Sequence, residues 1–266
     1  MDAKNEQKDF LVAGYVVFDK ISEIKEDPAP GKLILTDRFE HSIGGSSGNT
    51  GAALAQLGSS VYVSGRVGDD MYGKWILERY SELGVDTRGI IVDPNAQTSI
   101  AETFIDPTGE RGFIHSVQAN DFYTIRDASP FFQKAHHMHT GYFGTCEKMD
   151  MVGLLRAAQE AGLTTSFDTA ARPTPEQLND LFACLEHTTV FVPSYEEAQS
   201  ILEKDDPREM AKLFVERGAE IGGVKHGESG IFLADKDGVF HSEAFPVDKV
   251  RSTLAAGDSA FAGILH

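Results

Sequence analysis

Residues 10–19, FLVAGYVVFD, and residues 44–64, GGSSGNTGAALAQLGSSVYVS, decide the fold between them. The first is an unbroken apolar run that closes on a carboxylate. It predicts a buried strand over 10–18 ending at Asp19. The second opens on glycines, passes into a small-residue helix over 48–57 and ends in a strand over 61–64. Strand, helix, strand in that order is the unit of a parallel sheet. The alternation continues down the chain. A helix over 73–83 carries Ile76, Leu77, Tyr80 and Leu83 at helical spacing. Short strands follow over 136–140, 163–167 and 188–192, with helices starting near Lys148 and Thr174. The fold class is therefore α/β: a Rossmann-like three-layer sandwich with a mostly parallel central sheet. Right-handed crossovers gather the strand ends, and with them the ligand site, along one edge.

Residues 31–41 and 99–116 break that rhythm. They carry strand-like residues with no helix between, and Asp106-Pro107-Thr108-Gly109 is a turn signal. They predict a small β layer projecting from the main sheet, with strands from about 15–41 and 98–118 of one domain spanning 1–266. No repeat or linker interrupts the chain. Its 266 residues are 41% apolar and 24% charged, ordinary for a packed globular chain and unlike a disordered or fibrous one. With 24 basic against 41 acidic residues the net charge is −17, which excludes nucleic-acid binding through a general basic surface. A local phosphate site remains compatible with it, because backbone N–H groups do not enter the net charge. The start lacks a targeting segment, and the run before Asp19 is far too short for a bilayer. A cytoplasmic, membrane-free setting is expected, with Cys146 and Cys184 as reduced thiols.

Several tempting features have plain explanations. Gly68 to Lys74 has the glycine and lysine spacing of a P-loop, but Trp75 stands where Ser or Thr would hold Mg²⁺. A turn in which Asp69 or Asp70 caps the next helix is the better reading. His136, His137 and His139 resemble metal ligands, yet alternation along a strand splits His136 from the other two. Trp75 reads as core and residues 23–27 as a solvated charge run. Arg111 reads as a solvated arginine on the β layer, and Arg172 could face a phosphate.

Two segments carry chemistry. Residues 44–51, GGSSGNTG, open a helix with glycines dense enough to let backbone approach a ligand closely. Residues 252–263, STLAAGDSAFAG, lead small residues into a helix whose first turn carries Asp258. Free N–H groups at such an end form an anion hole, and a carboxylate beside it can take a proton from a hydroxyl. Together the segments resemble the two signatures of the ribokinase-like (PfkB) family of carbohydrate and nucleoside kinases. Gly44, Gly45, Asn49, Gly51, Gly58 and Gly68 stand at the spacing of the first, and residues 252–265 fit the second around Gly257-Asp258. Asp168, Glu197 and residues 224–230, VKHGESG, look like further landmarks, so the resemblance covers essentially the whole chain.

The resemblance implies an ATP-dependent kinase acting on a hydroxyl of a small sugar-like substrate. Asp258 matches the general base, and Ala255, Ala256 and Gly257 the anion hole for the transferred phosphoryl group. Asp19, Gly44, Gly45 and Asn49 match substrate-binding positions. Ser194, Lys225, Gly227 and Gly230 match the nucleotide side, with Glu197 acting on Mg²⁺. The β layer matches a lid that often forms a homodimer interface. A helix end should also keep Asp258 ionised. Departures from the family pattern are Ser194 for Asn, Ser252 for Asp and Ala255 for Gly. The family normally continues past the second signature, whereas eight residues, Ser259 to His266, follow Asp258 here. The resemblance therefore implies an adenine pocket lacking a wall, and sugar binding that outlasts ATP binding. Alternatives are a nucleoside kinase, or a sugar- or nucleoside-binding member without turnover. A Rossmann dehydrogenase is weaker, because no G-x-G-x-x-G follows the first strand.

Overall fold

The computed structural model describes residues 7–108, 111–141, 149–169, 172–248, 250 and 253–266. Its first half runs β1 (Lys8–Gly14), β2 (Val17–Glu23), β3 (Phe39–Gly44), α1 (Ser46–Leu57), β4 (Val61–Gly68), α2 (Met71–Glu82), β5 (Asp86–Asp93), β6 (Ile100–Ile105), β7 (Arg111–Ser116), α3 (Ile125–Ala128) and β8 (Ala135–Gly141). The second half runs α4 (Met151–Glu160), β9 (Thr164–Asp168), α5 (Leu178–Leu185), β10 (Val190–Phe191), α6 (Tyr195–Leu202), α7 (Pro207–Glu216), β11 (Ile221–Lys225), β12 (Ile231–Asp235), β13 (Gly238–Ser242) and α8 (Ala256–Leu265).

Nine strands form the main sheet in the order β13-β12-β11-β10-β9-β8-β1-β4-β5. Pairing is parallel from β11 through to β5 and antiparallel for β12 and β13. Alternation divides the core. Leu11 and Ala13 of β1 join Met138, Phe167, Phe191 and Phe214 on the face covered by α4 to α7. Phe10 and Val12 join Leu54, Val63, Ile76 and Tyr80 on the face of α1 and α2. On this second side α8 sets Phe261 against Val190 and Val192. Because β1 pairs with both β4 and β8, the strand order reverses there, and the crevice at the carboxyl ends of such a sheet is where ligands bind.

The single strand predicted over 10–18 is in fact two. Gly14 adopts φ +125°, a conformation side chains rarely reach, and the chain leaves the main sheet there. It resumes as β2 in a second, four-stranded sheet of order β3-β2-β6-β7. Buried Asn120 pins this departure, its Nδ2 donating to the Val16 carbonyl at 3.0 Å and to Ser99 Oγ at 2.7 Å. The predicted β layer is thus present, but within 31–41 only Phe39–His41 belongs to a strand. The expectation of a helix cap at Asp70 holds, since its carboxylate accepts from Tyr72 N and Gly73 N. Cys184 is a buried free thiol; Cys146, Gly109 and Ser252 lie outside the described residues. No helix among the described residues is long and apolar enough to cross a membrane.

Candidate active site

Carboxyl ends of four strands converge on one crevice: Gly14 of β1, Gly141 of β8, Asp168 of β9 and Lys225 of β11. Ser47 fastens the start of α1 over it, donating to the Ala13 carbonyl at 2.9 Å and accepting from Gly141 N at 2.9 Å. Gly45 precedes α1 with φ +79°, and a Cβ there would stand 2.6 Å from the Tyr15 carbonyl oxygen. Gly44 is required for another reason. A Cβ on it would overlap the carboxylate of Asp19 on the neighbouring strand. The glycine pair therefore makes room for a carboxylate and turns the chain into a helix.

Asp258 lies in the first turn of α8, and α1 reaches it with two side chains. Ser46 Oγ donates to its Oδ1 at 3.0 Å and Asn49 Nδ2 to its Oδ2 at 2.8 Å. The sequence pattern singled out Asn49. It quoted Ser46 without a role, and only the packing of α8 on α1 reveals one. Burial, together with the negative charge of Asp168, pushes the Asp258 carboxyl up to about 6. The helix end does not dominate as expected; desolvation does, although Asp258 is still mostly ionised at neutral pH. Asp19 is buried on the same crevice, and no described residue donates a hydrogen bond to it. Its carboxyl rises to about 7, through desolvation and the charge of Asp258. One buried and one half-buried carboxylate, both with unused acceptor capacity, suit a ligand rich in hydroxyls.

The N-terminus of α8 is open. Ala255 precedes it in the left-handed region, φ +55°, with no side chain to cap the helix. Ala256 N donates to the Thr253 carbonyl at 3.2 Å, and the helical ladder begins only at Ser259 N to the Ala255 carbonyl. The amides of Gly257 and Asp258 therefore lack an intrahelical acceptor, the arrangement that receives anions. Lys225 is buried beside this turn. Its Nζ donates to Asp168 Oδ2 at 2.7 Å and lies 5.0 Å from the Phe261 ring centroid. A Cβ on Gly257 would be 3.9 Å from that Nζ. This ion pair escaped sequence reasoning because its partners are 57 positions apart.

Ser194 adjoins Lys225 through a parallel bridge. It caps α6 in a reciprocal box with Glu197, whose Oε2 accepts from Ser194 N at 2.8 Å. That leaves the second carboxylate oxygen of Glu197 available, which fits a Mg²⁺ ion held chiefly by phosphate oxygens and water. No group of three or more His, Cys, Asp or Glu side chains among the described residues could cage a metal unaided. Gly227 and Gly230 both have positive φ in the turn after β11. A Cβ on Gly230 would collide with the Ser242 carbonyl. The histidines are structural: His137 and His139 both bond Ser166 Oγ, at 2.7 and 2.9 Å, and His136 is exposed on the other face. Arg111 and Arg172 are exposed, and Trp75 packs half-buried on Phe18.

The family model described as pfkB family carbohydrate kinase matches residues 7–266. An ATP-dependent ribose-1-phosphate kinase of Halopiger xanaduensis is 29% identical over 258 residues, covering 96% of this chain and 83% of that protein. A 2-dehydro-3-deoxygluconokinase of Bacillus subtilis is 25% identical, covering 88% and 76%. Among solved structures, an Arabidopsis thaliana ribokinase complexed with ribose and ATP superposes with a TM-score of 0.78 at 20% identity, covering 96% and 84%. An adenosine kinase of Sinorhizobium meliloti superposes at 0.85 with 19% identity, covering 97% and 86%; these likenesses establish the fold.

Proposed function

The chain belongs to the pfkB family of carbohydrate kinases, and from that premise we propose that it transfers the γ-phosphoryl group of ATP to a sugar hydroxyl, with Asp258 as general base. One observation carries this reading: a half-buried carboxylate, oriented by Ser46 and Asn49, sits in an open helix end beside a second, unpaired and buried carboxylate, Asp19. Asp19, with Gly44 and Gly45 keeping its space clear, accepts hydrogen bonds from sugar hydroxyls. Asn49 positions Asp258 and borders the sugar.

The attacking hydroxyl gives its proton to Asp258 as its oxygen bonds to phosphorus and the bond to ADP breaks. The amides of Gly257 and Asp258 stabilise the transferred group, with Ala255 and Ala256 setting their direction, because the Ala256 amide is already held by the Thr253 carbonyl. Ser194, Lys225, Gly227 and Gly230 border the nucleotide. Mg²⁺, when bound, neutralises phosphate charge, and Glu197 is the carboxylate placed to hold it. The small sheet acts as a lid that excludes water and pairs two copies of the chain.

A coupled ADP-release assay over sugars, ribose 1-phosphate and nucleosides with Mg-ATP tests the reading. Turnover with a sugar or sugar phosphate is expected. Turnover confined to nucleosides would shift the acceptor class. Ligand-induced stabilisation with no turnover anywhere would make the chain a binding protein.

A further inference from the structure

We infer that Lys225 acts on the reacting phosphoryl group itself: anchored by Asp168 beneath the first turn of α8, its ammonium donates to the phosphoryl oxygens during transfer. This rests on the kinase reading above. It assigns Lys225 to the reacting centre and distinguishes it from residues that merely border the nucleotide.

Lysine is seldom buried, because removing an ammonium from water is costly unless it is paired. Here the side chain is 10% exposed, and Lys225 is the one buried lysine or arginine among the described residues. Asp168, 7% exposed, accepts one of its three N–H donors at 2.7 Å. The ring of Phe261 flanks the ammonium at 5.0 Å and shields it from water. On the remaining side stands Gly257, where an added Cβ would lie 3.9 Å from Nζ. Among the described residues, chain neighbours aside, no other side chain comes within 4 Å of that Cβ position, so the space between the ammonium and the first turn of α8 is clear of side chains. A hydrogen-bond donor and the helix amides can then grip one group from two directions.

The charge balance needs such a cation. Asp19 and Asp168 are buried on this crevice or beside it, Asp258 is half-buried there, and the triphosphate adds more negative charge. Phosphoryl transfer depends on positioning and charge neutralisation more than on covalent chemistry. In the transfer, the acceptor O–H bond breaks and its proton passes to Asp258. The new O–P bond forms and the bond from phosphorus to the ADP oxygen breaks. Lys225 takes no part in the bond changes and contributes only hydrogen bonds and charge. Lys225 also lowers the Asp258 carboxyl against the opposing push of Asp168, so one side chain serves both the base and the phosphoryl group.

The competing role is a purely structural one, in which Lys225 only neutralises Asp168. Three variants separate the two: Lys225→Met, Lys225→Arg, and the double variant Asp168→Asn with Lys225→Met. The double variant removes both charges, so it stays folded even if Lys225→Met, with Asp168 left unpaired, does not. The readouts are steady-state kinetics with the best sugar from the panel and the thermal shift produced by MgADP with and without aluminium fluoride, a stand-in for the phosphoryl group in flight. We expect the double variant to keep a native-like Tm and a sugar KM within about 3-fold of wild type. Its kcat should fall by roughly 10²–10³. It should retain the shift caused by MgADP and lose the additional shift caused by aluminium fluoride. Lys225→Arg should recover part of kcat. In Lys225→Met, if folded, the acid limb of kcat/KM should move to higher pH. Wild-type kcat or an undiminished fluoride increment in the double variant would overturn the inference and leave the kinase reading standing. A wild-type chain with neither turnover nor a fluoride increment would overturn both.

Discussion

At Asp258, burial and hydrogen bonding pull in opposite directions, and burial prevails. In the proposed role of base it must be ionised, so kcat/KM should rise with pH through about 6. Asp19, raised to about 7, should extend the rise before the profile flattens, the two carboxyls titrating as a coupled pair. Asp258→Asn keeps the shape and can still accept from Ser46 while losing the basic oxygen. It should lower kcat by about 10²–10⁴ with little change in Tm, and near-wild-type turnover would remove Asp258 from the base's role. Asp19 offers a second test with a definite sign. Its folded carboxyl binds protons more tightly than the usual value of 3.8, so its contribution to stability is present below about 4 and is lost as pH rises toward 7. Asp19→Asn should therefore gain stability over wild type as pH rises, by about 2–4 kcal/mol at pH 7.5. It should simultaneously raise the sugar KM more than the ATP KM. Equal stability at every pH would mean that Asp19 does not sit ionised in a desolvated place. Such an exchange of stability for function is what a carboxylate kept for a ligand produces.

Among the elements, α6 and α8 show how helix ends are put to different uses. The start of α6 is closed by its own side chains, Ser194 and Glu197 bonding each other's backbone N–H. The start of α8 has no side-chain cap and holds Ala255 at a positive φ, which costs an L-residue about 1–2 kcal/mol. One end is satisfied internally and the other is left open, as the proposed phosphoryl site requires. Glutamine serves as well as glutamate in a capping box, so Glu197→Gln should preserve α6 and Tm while removing the charge. The Mg²⁺ concentration for half-maximal rate should rise by about 10-fold, with the sugar KM unchanged. An unaltered Mg²⁺ dependence would leave Glu197 with capping alone.

For the whole molecule, the small sheet is the surface in need of explanation. It and its connecting segment expose Leu33 (82%), Leu35 (73%), Phe39 (66%), Phe113 (56%) and Ile114 (64%). By register Phe39 and Ile114 share one face of this sheet, and exposed apolar groups there are what a protein–protein contact would cover. A dimer through this sheet is expected in sedimentation at micromolar concentration, and Phe39→Asp with Ile114→Asp should yield monomers with an intact main sheet. A wild-type chain that sediments as a monomer would rule out the interface.

The sequence alone determined the α/β alternation, because strand and helix periods are local properties of apolar spacing. It also fixed the two helix-opening segments, since glycines and a first-turn aspartate carry their meaning within a few residues. It could not show that residues 10–18 form two strands: apolar composition is the same on both sides of Gly14, and the bend is set by packing against Ser47 and Thr140. It could not show which way the Asp258 carboxyl shifts. A helix end is visible in sequence, whereas desolvation depends on what α1, β9 and β11 stack around it. The Asp168–Lys225 pair and the reach of Ser46 across 212 positions to Asp258 belong wholly to the tertiary structure. Parallel strands bring their carboxyl ends together only after the long crossovers have closed, so no local pattern records who meets there.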